Sequence, residues 1–186
     1  MKDSIFFKRY SKRSYLEKEI PRDVLERIFE KIRWSPSCAN KQPWKFIFVS
    51  DKEQHARFGE ALARGNEWAT KAPVLIAVCA RKDDDYNRED DPVFYYQFDC
   101  GLAVMSLLLA AVDEGLMGHP MAGYDAFKVK QALSIPDEYH VICVISLGYE
   151  GPAVNLDERT RKKDEAPRTR KETREIISMD KFDFKA

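Results

Sequence analysis

Two short basic runs hold the residues best suited to gripping an anion. In "RYSKRS", Arg9, Ser11 and Arg13 alternate, so an extended backbone puts all three on one face. In a helix, Arg9 and Arg13 would still be neighbours at i,i+4. Near the other end of the chain, "PRTRKE" repeats the alternation with Arg168 and Arg170. On an extended segment their side chains would share a face about 7 Å apart. A guanidinium fork gives paired N–H bonds to oxygens, and a hydroxyl adds one more donor, a set that suits phosphate. Taken alone, each run reads first as a solvated basic face.

Two further stretches carry small polar groups beside apolar ones. In "SPSCANKQPWKFIFV" (Ser35–Val49), Pro36, Ser37, Cys38, Asn40, Gln42 and Pro43 precede an aromatic, β-branched strand. In "HPMAGYD" (His119–Asp125), Pro120 and Gly123 bracket Met121 and Ala122. Such a loop lets backbone N–H groups come close to a flat ligand, though an ordinary turn has the same composition. His119 in that loop reads first as a surface histidine. G-x-S-x-G, H-E-x-x-H, Walker A and G-x-G-x-x-G motifs are absent.

The elements that must position these residues follow from periodicity. Pro21 opens a helix whose Val24, Leu25, Ile28, Phe29 and Ile32 form one apolar face. Trp44–Val49 reads as a strand. Ser50 and Glu53 form a capping-box pattern for a helix running to about Arg64. Ala72–Ala80 is apolar throughout, a strand covered on both faces. Phe94–Glu114 reads as a central buried helix, with Phe94 and Phe98 as core residues. Gly115–Asp125 reads as a loop, Ala126–Leu133 as a helix capped by Asp125, and His140–Tyr149 as a strand. The interleaving predicts an α+β or α/β domain.

Composition excludes several classes. Over 186 residues, 31 basic and 31 acidic side chains cancel, so no net field recruits nucleic acid or an anionic membrane. The longest uncharged stretch, Cys100–Val112, is too short to cross a bilayer. No segment reads as a signal peptide. Cys38, Cys79, Cys100 and Cys143 form no C-x-x-C pair. That argues against a zinc site or a redox dithiol. Cys79 and Cys143 sit inside apolar runs and read as core thiols, which implies a reduced cytoplasmic compartment and, with no other ligand cluster, no metal. The charged run "RKDDDYNREDD" fails as a calcium loop, because Arg88 replaces the turn glycine and Phe94 the closing glutamate.

In their order, "RYSKRSY", "SPSCANKQPWKF", "GNEWATKAPVLIAVCA", "FDCGLAVMSLLLAAVDEGLMGHPMAGYD" and "LGYEGPA…PRTRKETREII" resemble the FMN-dependent nitroreductase family. The resemblance implies an α+β fold: a central mixed, mainly antiparallel sheet flanked by helices in an intertwined homodimer. It implies one domain over 1–186, with 150–186 as an arm over the partner. FMN would lie at the dimer interface. Arg9, Tyr10, Ser11 and Arg13 would bind its phosphate, ribityl chain and pyrimidine edge. Arg168 and Arg170 would complete the phosphate clamp. Asn66 would bond the ring, and Pro120, Met121, Ala122 and Gly123 would underlie it, with a backbone N–H toward N5. Pro36, Ser37, Cys38, Asn40 and Gln42 would reach across to the partner's pocket.

By the same resemblance, NADH or NADPH would pass hydride to flavin N5, and a nitroaromatic, quinone or unidentified metabolite would then accept it in ping-pong order. Arg13 and Gly123 would tune the flavin, and no side chain need act as nucleophile or base. The alternatives are a specialised flavoprotein using O₂ or a modified or halogenated substrate, and a non-catalytic flavin-binding module. At Ala69 and Ala122 the chain lacks a lysine and a glutamate found in some members. Any lid would come from Asp83–Tyr96.

Overall fold

The computed structural model describes residues 3–86 and 92–184. Four strands, β1 (Lys45–Val49), β2 (Val74–Ala80), β3 (Met117–Met121) and β4 (His140–Gly148), form one sheet. Its order is β1-β2-β4-β3, and every pairing among the described strands is antiparallel. Among the described residues six α-helices accompany it: α1 (Ile5–Lys8), α2 (Arg22–Arg33), α3 (Lys52–Gly59), α4 (Tyr95–Asp113), α5 (Ala126–Leu133) and α6 (Glu158–Glu165).

β2 explains why its run is apolar without alternation: all seven residues are buried. Val74, Ile76, Val78 and Ala80 face one core with Leu25 and Ile28 of α2 and Ala103 and Leu107 of α4. Leu75, Ala77 and Cys79 face a second core with Phe58, Trp68, Met121 and Val129. The sheet is therefore covered on both sides, and its two faces hold separate apolar layers.

Several boundaries differ from the sequence reading. The residue capping α3 is Asp51, whose Oδ1 accepts the Gln54 N–H at 2.9 Å, rather than Ser50. That helix stops at Gly59, well short of Arg64, because tight turns redirect the chain so that Leu62 pairs with Tyr124. The stretch read as a loop contains β3. Glycine and proline disguised it, yet it is an edge strand, where a residue without an N–H is tolerated. α1 and α6 were also not apparent in the sequence.

α4 is long and apolar enough by composition to span a bilayer. In the fold it instead packs against α2, β2 and β3, with Cys100, Ala103, Leu107 and Ala111 buried. It is not buried all round. Phe98 is 60% exposed, Phe94 and Met105 are also exposed, and Phe94 and Phe98 are therefore not core residues.

The N-terminal segment is laid on this frame by Tyr15, which bridges to Glu150 just past β4. There is no room for a side chain at the crossing: a Cβ on Gly148 would lie 2.6 Å from Pro73 Cδ and 2.9 Å from Tyr15 Cδ1. Gly148→Ala is expected to cost about 1–3 kcal/mol through overpacking, read as a lowered denaturation midpoint. An unchanged midpoint would show that Tyr15 gives way freely.

Candidate functional site

The two basic runs, whose nearest arginines, Arg13 and Arg168, are 155 residues apart in the chain, meet in space. Asp164 of α6, buried at 2% exposure, accepts the Arg13 backbone N–H at 2.6 Å. The Lys12 ammonium stands 3.5 Å from Asp164 and 3.0 Å from Glu150. Just beyond α6, the Ala166 carbonyl accepts the Tyr10 hydroxyl at 2.9 Å. Arg168 lies over the Tyr10 ring, 5.2 Å from its centre, and donates to the Phe7 carbonyl at 2.7 Å.

The result is a cleft of about 320 Å³ lined by Arg9, Ser11, Arg13, Lys163, Arg168 and Arg170 among others, with no carboxylate in its wall. Arg9 donates to Ser11 Oγ at 3.3 Å. Its guanidinium is held below the usual arginine value by burial first, then by repulsion from Arg168 and Arg170. Cations gathered without counter-charge are arranged for an external anion.

Arg13 also lines a larger cavity of about 620 Å³, whose wall includes Tyr15, Trp68, Lys71, Leu156 and Asp157. Asn66 and Gly123 line neither cavity, but the fold brings them together: the Asn66 amide donates to the Gly123 carbonyl at 3.0 Å. A Cβ on Gly123 would lie 2.5 Å from that amide nitrogen, so the approach requires glycine. Pro120 and Met121 are strand residues of β3, and the Met121 side chain is buried in the second core. Ala122 and Gly123 follow the strand.

His119, read in the sequence as a surface residue, is partly buried against the Trp68 ring, 4.6 Å between centres. Burial, with Arg13 nearby, pushes its imidazole down to about 4. Trp68, His119, Lys163 and Asp164 are the residues that sequence reasoning missed. Lys163 and Asp164 carried one available signal, their closeness in sequence to Arg168; His119 carried its place in a suggestive loop, where the surface reading was preferred, and Trp68 carried none.

The 36–42 segment stands elsewhere. Pro36, Ser37, Cys38, Asn40 and Gln42 line neither cavity. The Cys38 N–H points between the two carboxylate oxygens of buried Asp99, at 3.1 and 3.2 Å, and Ser37 Oγ accepts the Gln42 N–H at 2.9 Å. Ala39, Asn40 and Gln42 all have positive φ, of 47°, 54° and 48°. A left-handed backbone is costly for non-glycine residues, and such strain collects at functional loops. In the supposed lid, Tyr86 and Phe94 are exposed, and 87–91 lie outside the described residues.

The nitroreductase family profile matches residues 7–67 and 63–149. The chain belongs to the nitroreductase family. A candidate NADH dehydrogenase/NAD(P)H nitroreductase of Methanothermobacter thermautotrophicus is 33% identical over 152 residues, covering 79% of this chain and 75% of the relative. Another, from Stenotrophomonas maltophilia, is 28% identical and covers 81% and 86%. Among solved structures, an oxidoreductase described as containing FMN is 28% identical, with a TM-score of 0.87 over 98% of this chain and 93% of its own. A nitroreductase family protein of Clostridium novyi NT is 27% identical, with a TM-score of 0.73 over 82% and 87%.

In this member of the family the lowered His119 value has a consequence for stability. The unfolded chain binds a proton near pH 6.5, and the folded chain only near 4. Stability is therefore full above about pH 6.5 and falls as pH drops to about 4, by a total of about 3 kcal/mol. His119→Asn removes this contribution. Its unfolding free energy is expected to fall less between pH 7 and 4 than that of wild type, and equal slopes would contradict the assignment.

Proposed function

We propose that the protein is an FMN-dependent oxidoreductase that carries hydride from NADH or NADPH to a small organic acceptor such as a nitroaromatic or a quinone. The observation that carries this reading is the arginine-lined cleft, assembled from both ends of the chain, whose Arg13 also lines the larger cavity. The residues present fit the cofactor. The cleft offers several cations to a phosphate without a carboxylate among its lining residues.

Bound FMN supplies hydride chemistry at its N5 atom, which protein side chains lack. Arg9, Ser11, Arg168 and Arg170 would hold the phosphate, and Tyr10 the neighbouring chain. Arg13 would place a fixed positive charge at the pyrimidine edge, where negative charge develops on reduction. Asn66 and the Pro120–Gly123 backbone would set the ring's position. Donor and acceptor would use one site in turn, which gives ping-pong kinetics.

The reading includes a homodimer with the cofactor at its interface, and the exposed apolar surface supports it. Phe98 and Met105 lie open on α4, and the 166–184 arm exposes Ile176, Ile177, Met179 and Phe182, the last at 86%. Single chains rarely leave so much apolar surface in water. In the dimer, Pro36, Ser37, Cys38, Asn40 and Gln42 would complete the partner's pocket, and 150–186 would embrace the partner. Four free cysteines suit a reducing compartment such as the cytoplasm.

The purified protein is expected to be yellow, or to turn yellow with added FMN, and to bleach under anaerobic NADH or NADPH. A protein that takes up no FMN would overturn the reading. Arg168→Ala should weaken FMN binding by about 10–100-fold, the worth of one charge-assisted contact, and titration of flavin fluorescence measures it.

A further inference from the structure

Arg13 stands where the two cavities meet, and among the described residues it forms no salt bridge. Something else must hold so long a cation in place. The peptide group between Lys12 and Arg13 is gripped at both polar ends. Its N–H donates to Asp164 at 2.6 Å. Its carbonyl lies 3.0 Å from His119 Nδ1 and 3.1 Å from the Tyr15 hydroxyl. A carbonyl can only accept, so Nδ1 carries the proton in this contact.

The guanidinium itself lies 5.7 Å from the centre of the Trp68 ring. That ring is fixed in turn. Its Nε1–H donates to the Gly65 carbonyl at 3.0 Å, and it packs between His119, at 4.6 Å, and Tyr15, at 6.5 Å. One residue pair, His119 and Trp68, therefore touches both the main chain and the side chain of Arg13.

We propose that His119 and Trp68 are positioning residues for Arg13, holding its peptide plane and its guanidinium so that one fixed charge stands at the junction of the two cavities. The group that this charge serves rests on the FMN reading; the positioning itself does not. Burial is the main cause that keeps the imidazole neutral; of the charged groups facing it, Arg13 adds to that effect and Asp164 opposes it. A neutral His119 donates one proton to the Lys12 carbonyl without setting a second cation beside Arg13.

The test follows Arg13 directly. In the apoprotein, side-chain ¹⁵N relaxation is expected to show a rigid Arg13 Nε–Hε in wild type and a mobile one in His119→Ala and Trp68→Leu. His119→Asn, whose amide reaches the same carbonyl, and Trp68→Phe, which keeps an aromatic face, should restore rigidity. Should His119→Ala not fold, the Trp68→Leu and Trp68→Phe pair makes the same comparison. With FMN, His119→Ala or Trp68→Leu should raise Kd about tenfold in wild type and add nothing in an Arg13→Ala background. Equal losses with and without Arg13 would show that the pair serves only packing, and would overturn the proposal. If wild type binds no FMN, the cofactor reading fails and the relaxation data decide the proposal alone. An Arg13 loosened by the substitutions upholds it, and an Arg13 already mobile in wild type overturns it.

Discussion

The buried carboxylate of Asp164 is the contact on which the site depends. It receives the Arg13 N–H and faces the Lys12 ammonium, and so fastens α6 to the N-terminal segment. Everything past α6, including Arg168 and Arg170, is placed relative to Arg9 and Ser11 by that fastening. A carboxylate removed from water is tolerable only when its partners stay in place, and losing one typically costs 3–5 kcal/mol. The two ends of the chain are thus held together by a group that cannot easily let either go.

That anchoring explains how guanidinium groups can be held close without neutralisation. Arg9, Arg168 and Arg170 repel one another, and free side chains would turn away into solvent. Here the segments bearing them are fixed through main-chain and aromatic contacts: the Ala166 carbonyl on Tyr10, Arg168 over the same ring, and Arg168 on the Phe7 carbonyl. The repulsion remains in the cleft, and a bound anion would relieve it. Apolar layers on both faces of β2 supply the rigidity against which it is held.

The strained 36–42 segment follows a related logic. Its left-handed residues persist because Asp99 fixes the Cys38 N–H and Ser37 fixes Gln42. The loop is shaped by its own chain, and it lines neither cavity of the site. Like the exposed apolar face of α4 and the apolar arm, it lies at the surface of the chain.

The sequence by itself determined the elements with strong local signals. β2 was legible because a fully apolar run needs cover on both faces, α2 because its apolar residues recur at helical spacing, and α5 because Asp125 caps it. The arginine runs were legible as phosphate-type groups from residue chemistry and alternation, and the family from the order of its motifs. β3 was not legible, since Gly118 and Pro120 hide a strand unless its edge position is known. The solvent-exposed side of α4 was hidden too, because composition cannot tell a face that meets its own core from one left open. Only the tertiary structure joined the two arginine runs, set Asn66 against Gly123, and turned His119 inward onto Trp68 and the Lys12 carbonyl. Those are contacts between residues far apart in the chain, and long-range contact is the information that local periodicity and residue type do not carry.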